Sequence, residues 1–148
     1  MLAKALLVGM LAVASGSVAA KTCDVTVEGT DAMTFNTKEI KVDGDCTEVN
    51  LTLKHVGKIP ASAMGHNVVI TKTADYKAVA KAGGKLTAAD NYVPKDDKVL
   101  AFTKIIGGGE STDVKIDMSK FKAGEDYTFF CSFPGHWSVM KGKFVFGS

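Results

Sequence analysis

An alternation of apolar and polar residues with a period of two is the feature that most limits the folds open to this chain. In the segment 49–55, Val49, Leu51 and Leu53 alternate with polar residues, and the segments 25–28 and 113–118 alternate in the same way. A strand with one buried face places every second side chain in the core, so this period is typical of half-buried β-strands. The chain is therefore expected to be rich in β-structure.

Further apolar runs of strand length follow, and turn residues such as the glycines at 107–109 separate several of them. These additional predicted strands lie near 35–42, 67–72, 98–105, 126–131 and 142–147. The segment 75–86 differs because it is rich in Ala and Lys, with apolar residues at helical spacing and with Thr73 or Asp75 as a possible cap. The pattern predicts an all-β fold, a Greek-key β-sandwich of seven or eight strands with one short inserted helix.

The first 20 residues have the pattern of a cleavable signal peptide. Lys4 precedes an apolar run over 5–13, and small residues end at Ala20. A membrane anchor is the alternative, but the run is shorter than the roughly 20 residues that a spanning helix needs, and polar residues interrupt it at 15–17. We therefore expect export, cleavage before Lys21 and no stable membrane insertion, which leaves residues 21–148 as a single domain.

The charge pattern argues against binding to nucleic acid. The 18 basic residues are all lysines and are balanced by 16 acidic residues, for a net charge of +2. A protein that binds nucleic acid usually carries a basic stripe and arginine side chains that recognise phosphate and guanine. Neither feature is present, so this class of partner is not expected.

The three cysteines divide into an early pair and a distant third residue. Cys23 and Cys46 each lie beside acidic residues near a strand end, whereas Cys131 lies close to the carboxy terminus between aromatic residues. In an exported protein a Cys23–Cys46 disulfide with a lone thiol at 131 is the natural division, although pairing of Cys131 with an early cysteine stays open. Closing a loop of about 24 residues would stabilise the fold by roughly 3 kcal/mol in the chain-entropy model.

A candidate metal site lies near the carboxy terminus. Cys131, His136 and Met140 follow one another around a Pro-Gly turn, and His66 precedes a predicted strand far upstream. Each residue alone is more typical of ordinary core packing, but a thiolate, two imidazoles and a weakly bound thioether together form the ligand set of a blue-copper centre. Zinc is the chemical competitor, and methionine is a poor zinc ligand.

Four segments carry a resemblance to a known family. The stretch 131–136 (Cys-Ser-Phe-Pro-Gly-His), followed by Met-Lys-Gly at 140–142, resembles the copper loop of the azurins, which are bacterial cupredoxins. The stretches 33–36, 64–67 and 103–107 are also similar, so that the likeness spans the whole mature chain.

The resemblance implies a cupredoxin domain over residues 21–148 that holds one copper ion cycling between Cu(I) and Cu(II). It implies that His66, Cys131 and His136 are the equatorial ligands, with Met140 as a weak axial ligand and the Gly65 carbonyl near the other axial position. It also implies that Asn67 and the backbone amide of Phe133 pin the loop and donate to the sulfur, which tunes the potential. The disulfide that it implies is Cys23–Cys46.

The function implied by the resemblance is electron transfer in the periplasm. The implied partners are redox proteins such as c-type cytochromes, nitrite reductase or dehydrogenases, met by a monomer through an apolar patch. That patch would consist of Met33, Met64, Phe133 and Pro134. His55, at the inward side of a strand, is expected to be a buried structural histidine. The alternative function is a copper store or chaperone, and the sequence offers no pattern typical of an enzyme.

Overall fold

Two β-sheets that share one hydrophobic core form the body of the protein, as seen in a computed structural model that describes residues 15–147. Residues 1–14, which hold most of the predicted signal peptide, and Ser148 lie outside the described residues. The strands are β1 (Thr22–Gly29), β2 (Glu39–Val42), β3 (Glu48–His55), β4 (Val69–Lys72), β5 (Ala101–Phe102), β6 (Ser111–Asp117), β7 (Tyr127–Phe130) and β8 (Lys141–Phe146). The helices are α1 (Ala61–Met64) and α2 (Tyr76–Gly83), with 3₁₀ turns at Ala88–Asp90 and Met118–Lys120.

The strand order confirms the predicted sandwich. One sheet has the order β1-β3-β6 and the other has the order β2-β8-β7-β4-β5. The pairs β1–β3 and β2–β8 are parallel, and the remaining pairs are antiparallel. The chain passes repeatedly from one sheet to the other between consecutive strands, as in Greek-key sandwiches.

The period-two pattern produces the core as expected. In β3, Val49, Leu51 and Leu53 are completely buried, while Asn50 and Thr52 on the opposite face are only half-buried. Removing such side chains from water stabilises the fold by about 1.5–3 kcal/mol each. The buried faces of both sheets contribute to this shared cluster.

The helix α2 lies within the predicted segment 75–86 and covers the outer face of the five-stranded sheet. Its Tyr76, Val79 and Ala80 pack against Val69 of β4 and Phe130 of β7 in a second apolar cluster. Because β7 is covered on both faces, all four of its residues are buried. Asp75 occupies the cap position that we predicted, but its side chain makes no capping hydrogen bond.

Two predicted strands are shorter than expected, and one helical turn was not predicted. The segment 35–42 is a strand only from Glu39, since Phe35 forms an isolated bridge with Gly29 before the chain turns. In the segment 98–105 only Ala101–Phe102 is a strand, because the Val68 amide donates to the Thr103 hydroxyl (2.9 Å) beside the ladder. The additional turn α1 spans four residues.

The cysteines pair as predicted for an exported protein. Cys23 and Cys46 form a disulfide with a Cα–Cα distance of 5.9 Å, and Cys131 is a free, buried thiol. The alternative pairing of Cys131 is therefore excluded. Among residues 15–147, no helix combines the length and the apolar character needed to cross a bilayer.

Candidate metal centre

Three side chains from distant parts of the sequence meet at one end of the sandwich. Donor atoms of His66, Cys131 and His136 all lie within 4.8 Å of one another. The Cys131 sulfur is 3.9 Å from His66 Nδ1 and 3.6 Å from His136 Nδ1. The three residues are 0–3% exposed, so the cluster is closed to solvent. The predicted convergence of these three residues is present in the structure.

The loop between β7 and β8 places two of the donors by local hydrogen bonds. The Cys131 amide donates to the Met140 carbonyl (3.0 Å), which closes the base of the loop. The amides of His136 and Met140 donate to the carbonyls of Phe133 (3.0 Å) and His136 (2.8 Å), so the chain turns back on itself. Gly135 has a φ of +84°, a left-handed conformation that glycine adopts without a steric penalty.

His66 is held from three directions, just before β4. Its backbone amide donates to the Ile106 carbonyl and its carbonyl accepts from the Ile106 amide, and the N···O distance is 2.9 Å in both hydrogen bonds. Its Nε2 lies 2.7 Å from the Thr30 carbonyl, which can only accept, so Nε2 carries the proton. Nδ1 therefore faces Cys131 with a free lone pair. A Cβ on Gly29 would lie 2.7 Å from the ring, so glycine at this position leaves the space that the ring occupies.

The electrostatics of the cluster favour a neutral state in the absence of metal. Burial raises the pKa of the Cys131 thiol to about 12, although the backbone amides of Asn67 and Phe133 act in the opposite direction. Burial, with a smaller contribution from His66 and His55, lowers the pKa of His136 to about 4. Burial also lowers the pKa of His66. At neutral pH the site thus presents two neutral imidazoles and a protonated thiol.

Met140 and the Gly65 carbonyl lie beside these three donors. The Gly65 oxygen is 3.7 Å from the Cys131 sulfur. Met140 is completely buried, and its Cε would lie 3.2 Å from the same Gly29 Cβ that touches the His66 ring. Both groups that we predicted from the sequence are thus close to the cluster, and their role as axial ligands stays a prediction.

Asn67 ties the His66 segment to the cysteine loop. Its Oδ1 accepts from the Ser132 amide (2.8 Å), and its Nδ2 donates to the Ser132 hydroxyl (2.8 Å). The same Nδ2 also donates to the Asn91 carbonyl (2.9 Å). Asn67 is completely buried with these bonds made, so it fixes the spacing between the two halves of the site.

His55 is buried, as expected, and packs directly on a predicted ligand. Its ring stacks on the His66 ring with a centroid distance of 4.3 Å and an angle of 18°. Its Nε2 donates to the Met64 carbonyl (2.8 Å), and its Nδ1 accepts from the Gly57 amide (3.1 Å). Both ring nitrogens are therefore satisfied within the protein.

Sequence reasoning missed several residues that support the site, above all Gly29, Thr30 and Asn91. Thr30 and Asn91 act on the site through their backbone carbonyls, and Gly29 acts through the absence of a side chain. No pattern in the sequence reveals such contacts. The left-handed turn at Asn91 had a weak signal, since asparagine tolerates that conformation better than most residues.

The predicted apolar patch lies partly on the surface. Met33 is 37% exposed and Pro134 is exposed, whereas Met64 and Phe133 are half-buried. Gly65 allows α1 to approach the loop, because a Cβ there would lie 2.8 Å from the Phe133 ring. None of the four patch residues is charged.

The donor set fits one first-row metal ion. Bonds of about 2.0–2.3 Å to imidazole nitrogen and thiolate sulfur place such donors at separations like the 3.6–3.9 Å observed here. Two imidazoles and a thiolate, with a thioether nearby, suit copper better than zinc. A buried His-Cys-His cluster at the end of a Greek-key sandwich defines the cupredoxin class of metal centre.

The comparisons with known proteins agree with this class. A family profile described as copper binding proteins of the plastocyanin/azurin family matches residues 21–147. The chain is 56% identical over 127 residues to an azurin of Alcaligenes faecalis, covering 85% of this chain and 99% of that protein. It is 52% identical over 143 residues to an azurin of Achromobacter denitrificans, covering 96% of each.

A solved structure is also similar. The azurin Az-iso2 of the methylotroph Methylomonas sp. strain J matches with a TM-score of 0.82 and 45% identity, over 85% of this chain and 98% of that one. The chain belongs to the plastocyanin/azurin family of copper-binding proteins. Copper is thus the cofactor of this chain, and the His66-Cys131-His136 site suits one ion.

Proposed function

We propose that this chain is a periplasmic electron carrier that passes single electrons between redox partners, and that it is not an enzyme. The observation that carries the proposal is the closed His66-Cys131-His136 cluster. Copper held by these three residues would supply a one-electron couple, Cu(I)/Cu(II).

His66, Cys131 and His136 would hold the copper ion, with Met140 as a weak fourth donor and the Gly65 carbonyl nearby. All three strong donors are buried and positioned by backbone hydrogen bonds, so they stay in place when the charge of the site changes. A site that needs little rearrangement transfers an electron with a low barrier. The same burial leaves no room for a substrate, which supports a carrier rather than an enzyme.

Electrons are exchanged through the surface that lies nearest to His136. Its ring is buried but lies 4.6 Å from the Phe133 ring, and Phe133 belongs to the apolar patch with Met33, Met64 and Pro134. An uncharged surface of this kind suits brief, desolvated docking with another redox protein. We propose c-type cytochromes, nitrite reductase or dehydrogenases as partners, met by a monomer.

Periplasmic location is part of the same proposal. It is supported by the signal-peptide pattern of residues 1–20 and by the disulfide Cys23–Cys46, which is typical of an oxidising compartment. Cell fractionation of the native host tests it, with the mature chain beginning at Lys21 as the expected result. Recovery of the uncleaved chain in the cytoplasm would contradict it.

The test of the docking surface is a charge in the patch. Met64→Glu should slow electron self-exchange, and exchange with a c-type cytochrome, at least roughly tenfold, because an unpaired carboxylate buried at an interface costs more than about 1.4 kcal/mol. Phe102→Glu is the matched control, since Phe102 is 43% exposed on β5 and outside the patch. Equal rates for the two variants, with unchanged copper spectra, would refute the docking surface.

A copper store or chaperone is the competing function, and one measurement separates the two. A carrier should keep its copper during repeated one-electron cycles. Rapid transfer of copper to an apo-acceptor, faster than electron exchange, would instead favour the chaperone. The burial of all three donors supports retention.

A further inference from the structure

The segment between β4 and β5, residues 73–100, reaches the copper loop through two consecutive residues. Asn91 and Tyr92 have φ values of 55° and 54°, so both adopt the left-handed backbone that residues with a Cβ usually avoid. Asparagine tolerates this conformation, whereas for a bulky residue such as Tyr92 it is strained and persists only where the surrounding structure enforces it. Among residues 15–147, the remaining non-glycine residue with a positive φ is Met33, in the apolar patch.

Asn91 is bonded on both sides. Its backbone carbonyl accepts from Asn67 Nδ2 (2.9 Å), and its side-chain Oδ1 accepts from the Ile105 amide (2.9 Å). Ile105 directly precedes Ile106, whose backbone bridges to His66. Asn91 thus connects the backbone beside His66 to the side chain of Asn67, which holds the loop that carries Cys131.

Tyr92 makes the second contact. Its ring meets the Phe133 ring at 72° with centroids 5.3 Å apart, and the Phe133 ring lies 4.6 Å from His136. Behind it, the Tyr92 carbonyl packs so closely against the end of α2 that a Cβ on Gly83 would collide with it. Tyr92 is therefore wedged between the helix and the loop.

We propose that Asn91 and Tyr92, here called the 91–92 clamp, are positioning residues that hold Ser132 and Phe133 against the Cys131 sulfur. Asn91 acts on Ser132 through Asn67, and Tyr92 acts on Phe133 directly. Ser132 and Phe133 follow Cys131 directly in the chain, so the clamp controls how their backbone amides point relative to the sulfur. Hydrogen bonding around a cysteine ligand tunes the potential of a copper site.

The side chain of Asn91 offers a clean substitution series. Asn91→Ala removes the bond to Ile105 and disfavours the left-handed backbone, whereas Asn91→Asp retains a short acceptor and tolerates that backbone. Asp96→Ala is the matched control, because Asp96 lies in the same segment and accepts from the Lys98 amide (2.9 Å) but makes no hydrogen bond to the site within residues 15–147. The series therefore distinguishes an effect of the clamp from a general loss of structure in the segment 73–100.

The first measurement uses the metal-free protein, so its outcome does not depend on the proposed function. The amide of Ser132, a residue that is 1% exposed, is bonded to Asn67 and should exchange with deuterium at least tenfold faster in Asn91→Ala, relative to the Leu51 amide in β3. Asn91→Asp and Asp96→Ala should leave that ratio at the wild-type value. A wild-type ratio in Asn91→Ala would overturn the proposal.

The second measurement uses the copper-loaded protein and rests on the copper site of the proposed function. Asn91→Ala should shift the thiolate-to-copper charge-transfer band and the reduction potential, and Asn91→Asp should restore both. If Asn91→Ala does not fold, Tyr92→Leu replaces it, with Tyr92→Phe as the rescue that keeps the ring. Variants that match Asp96→Ala in both properties would show that the clamp is merely structural.

Discussion

The two ends of the sandwich are held together in different ways. At one end, where β1 begins, the Cys23–Cys46 disulfide is surrounded by exposed charges, including the Lys21–Asp45 ion pair (2.8 Å). At the other end, where β1 finishes, Gly29 and Thr30 contact the buried His66. The first end depends on one covalent bond, because exposed ion pairs contribute little.

The copper end depends instead on many weak contacts that fix a few atoms. His66 is positioned by backbone groups from two other segments, and Cys131 and His136 are positioned by hydrogen bonds within their own loop. The disulfide and the metal site therefore lie at opposite ends of the same strand pair, β1 and β3, and each end is fixed by a different kind of interaction. Changes at the disulfide end should alter stability without altering the site, whereas changes at the copper end should alter the site as well.

The largest expected effect is at the copper end. Cys131→Ser should abolish the intense thiolate-to-copper(II) band, because a hydroxyl is a far poorer ligand than a thiolate for copper. Visible absorption of the reconstituted variant measures this. A band of native intensity in that variant would show that Cys131 is not the ligand.

The disulfide end should show the opposite behaviour. Replacing both Cys23 and Cys46 by Ser should lower the free energy of unfolding by about 3 kcal/mol, since the unfolded chain regains the freedom of the opened loop. Denaturant titration of the metal-free protein measures the loss. The copper spectrum of this double variant should equal that of the wild type, and a changed spectrum would break the separation of the two ends.

A single added carbon beside His66 should disturb the copper end. Gly29→Ala places a Cβ 2.7 Å from the His66 ring and should cost about 1–3 kcal/mol as overpacking, with faster copper loss. Gly124→Ala is the control, because Gly124 has a φ of +79° and open space around it. The control should lose stability from strain but keep its copper. Equal rates of copper loss would contradict the account.

The smallest effect concerns protons. Because burial raises the pKa of Cys131 to about 12, the thiol is protonated at neutral pH and must lose its proton to bind metal. His136, with a pKa lowered to about 4, is already neutral. Copper affinity should therefore rise about tenfold for each unit of pH in the neutral range. Calorimetry in buffers of different ionisation enthalpy should find that about one proton is released per copper bound. If no proton were released, the Cys131 thiol would not be protonated before copper binds.

Sequence patterns were sufficient for the sandwich and for the donor cluster. The period-two alternation predicted β3 and its buried face, and the spacing of Cys131, His136 and Met140 reflects a loop that folds by local hydrogen bonds. Export made a Cys23–Cys46 disulfide the natural division of the cysteines, and the structure decides between it and the alternative that had stayed open. These features depend on side-chain type and on short-range order, which a sequence displays directly.

The supporting contacts could not be predicted for a physical reason. The Thr30 and Asn91 carbonyls would be present with almost any residue at those positions, so their bonds to His66 and Asn67 leave no compositional trace. The short β5 was also mispredicted in length, because the Thr103 hydroxyl takes the place of a ladder acceptor. Tertiary packing decides such details.

A copper titration of the purified protein, followed by visible absorption, tests directly whether the chain holds one copper ion through Cys131. We expect an intense thiolate-to-copper(II) band that saturates at one copper per chain and disappears reversibly on one-electron reduction. A colourless cupric protein would contradict it, as would a band that saturates without involvement of Cys131.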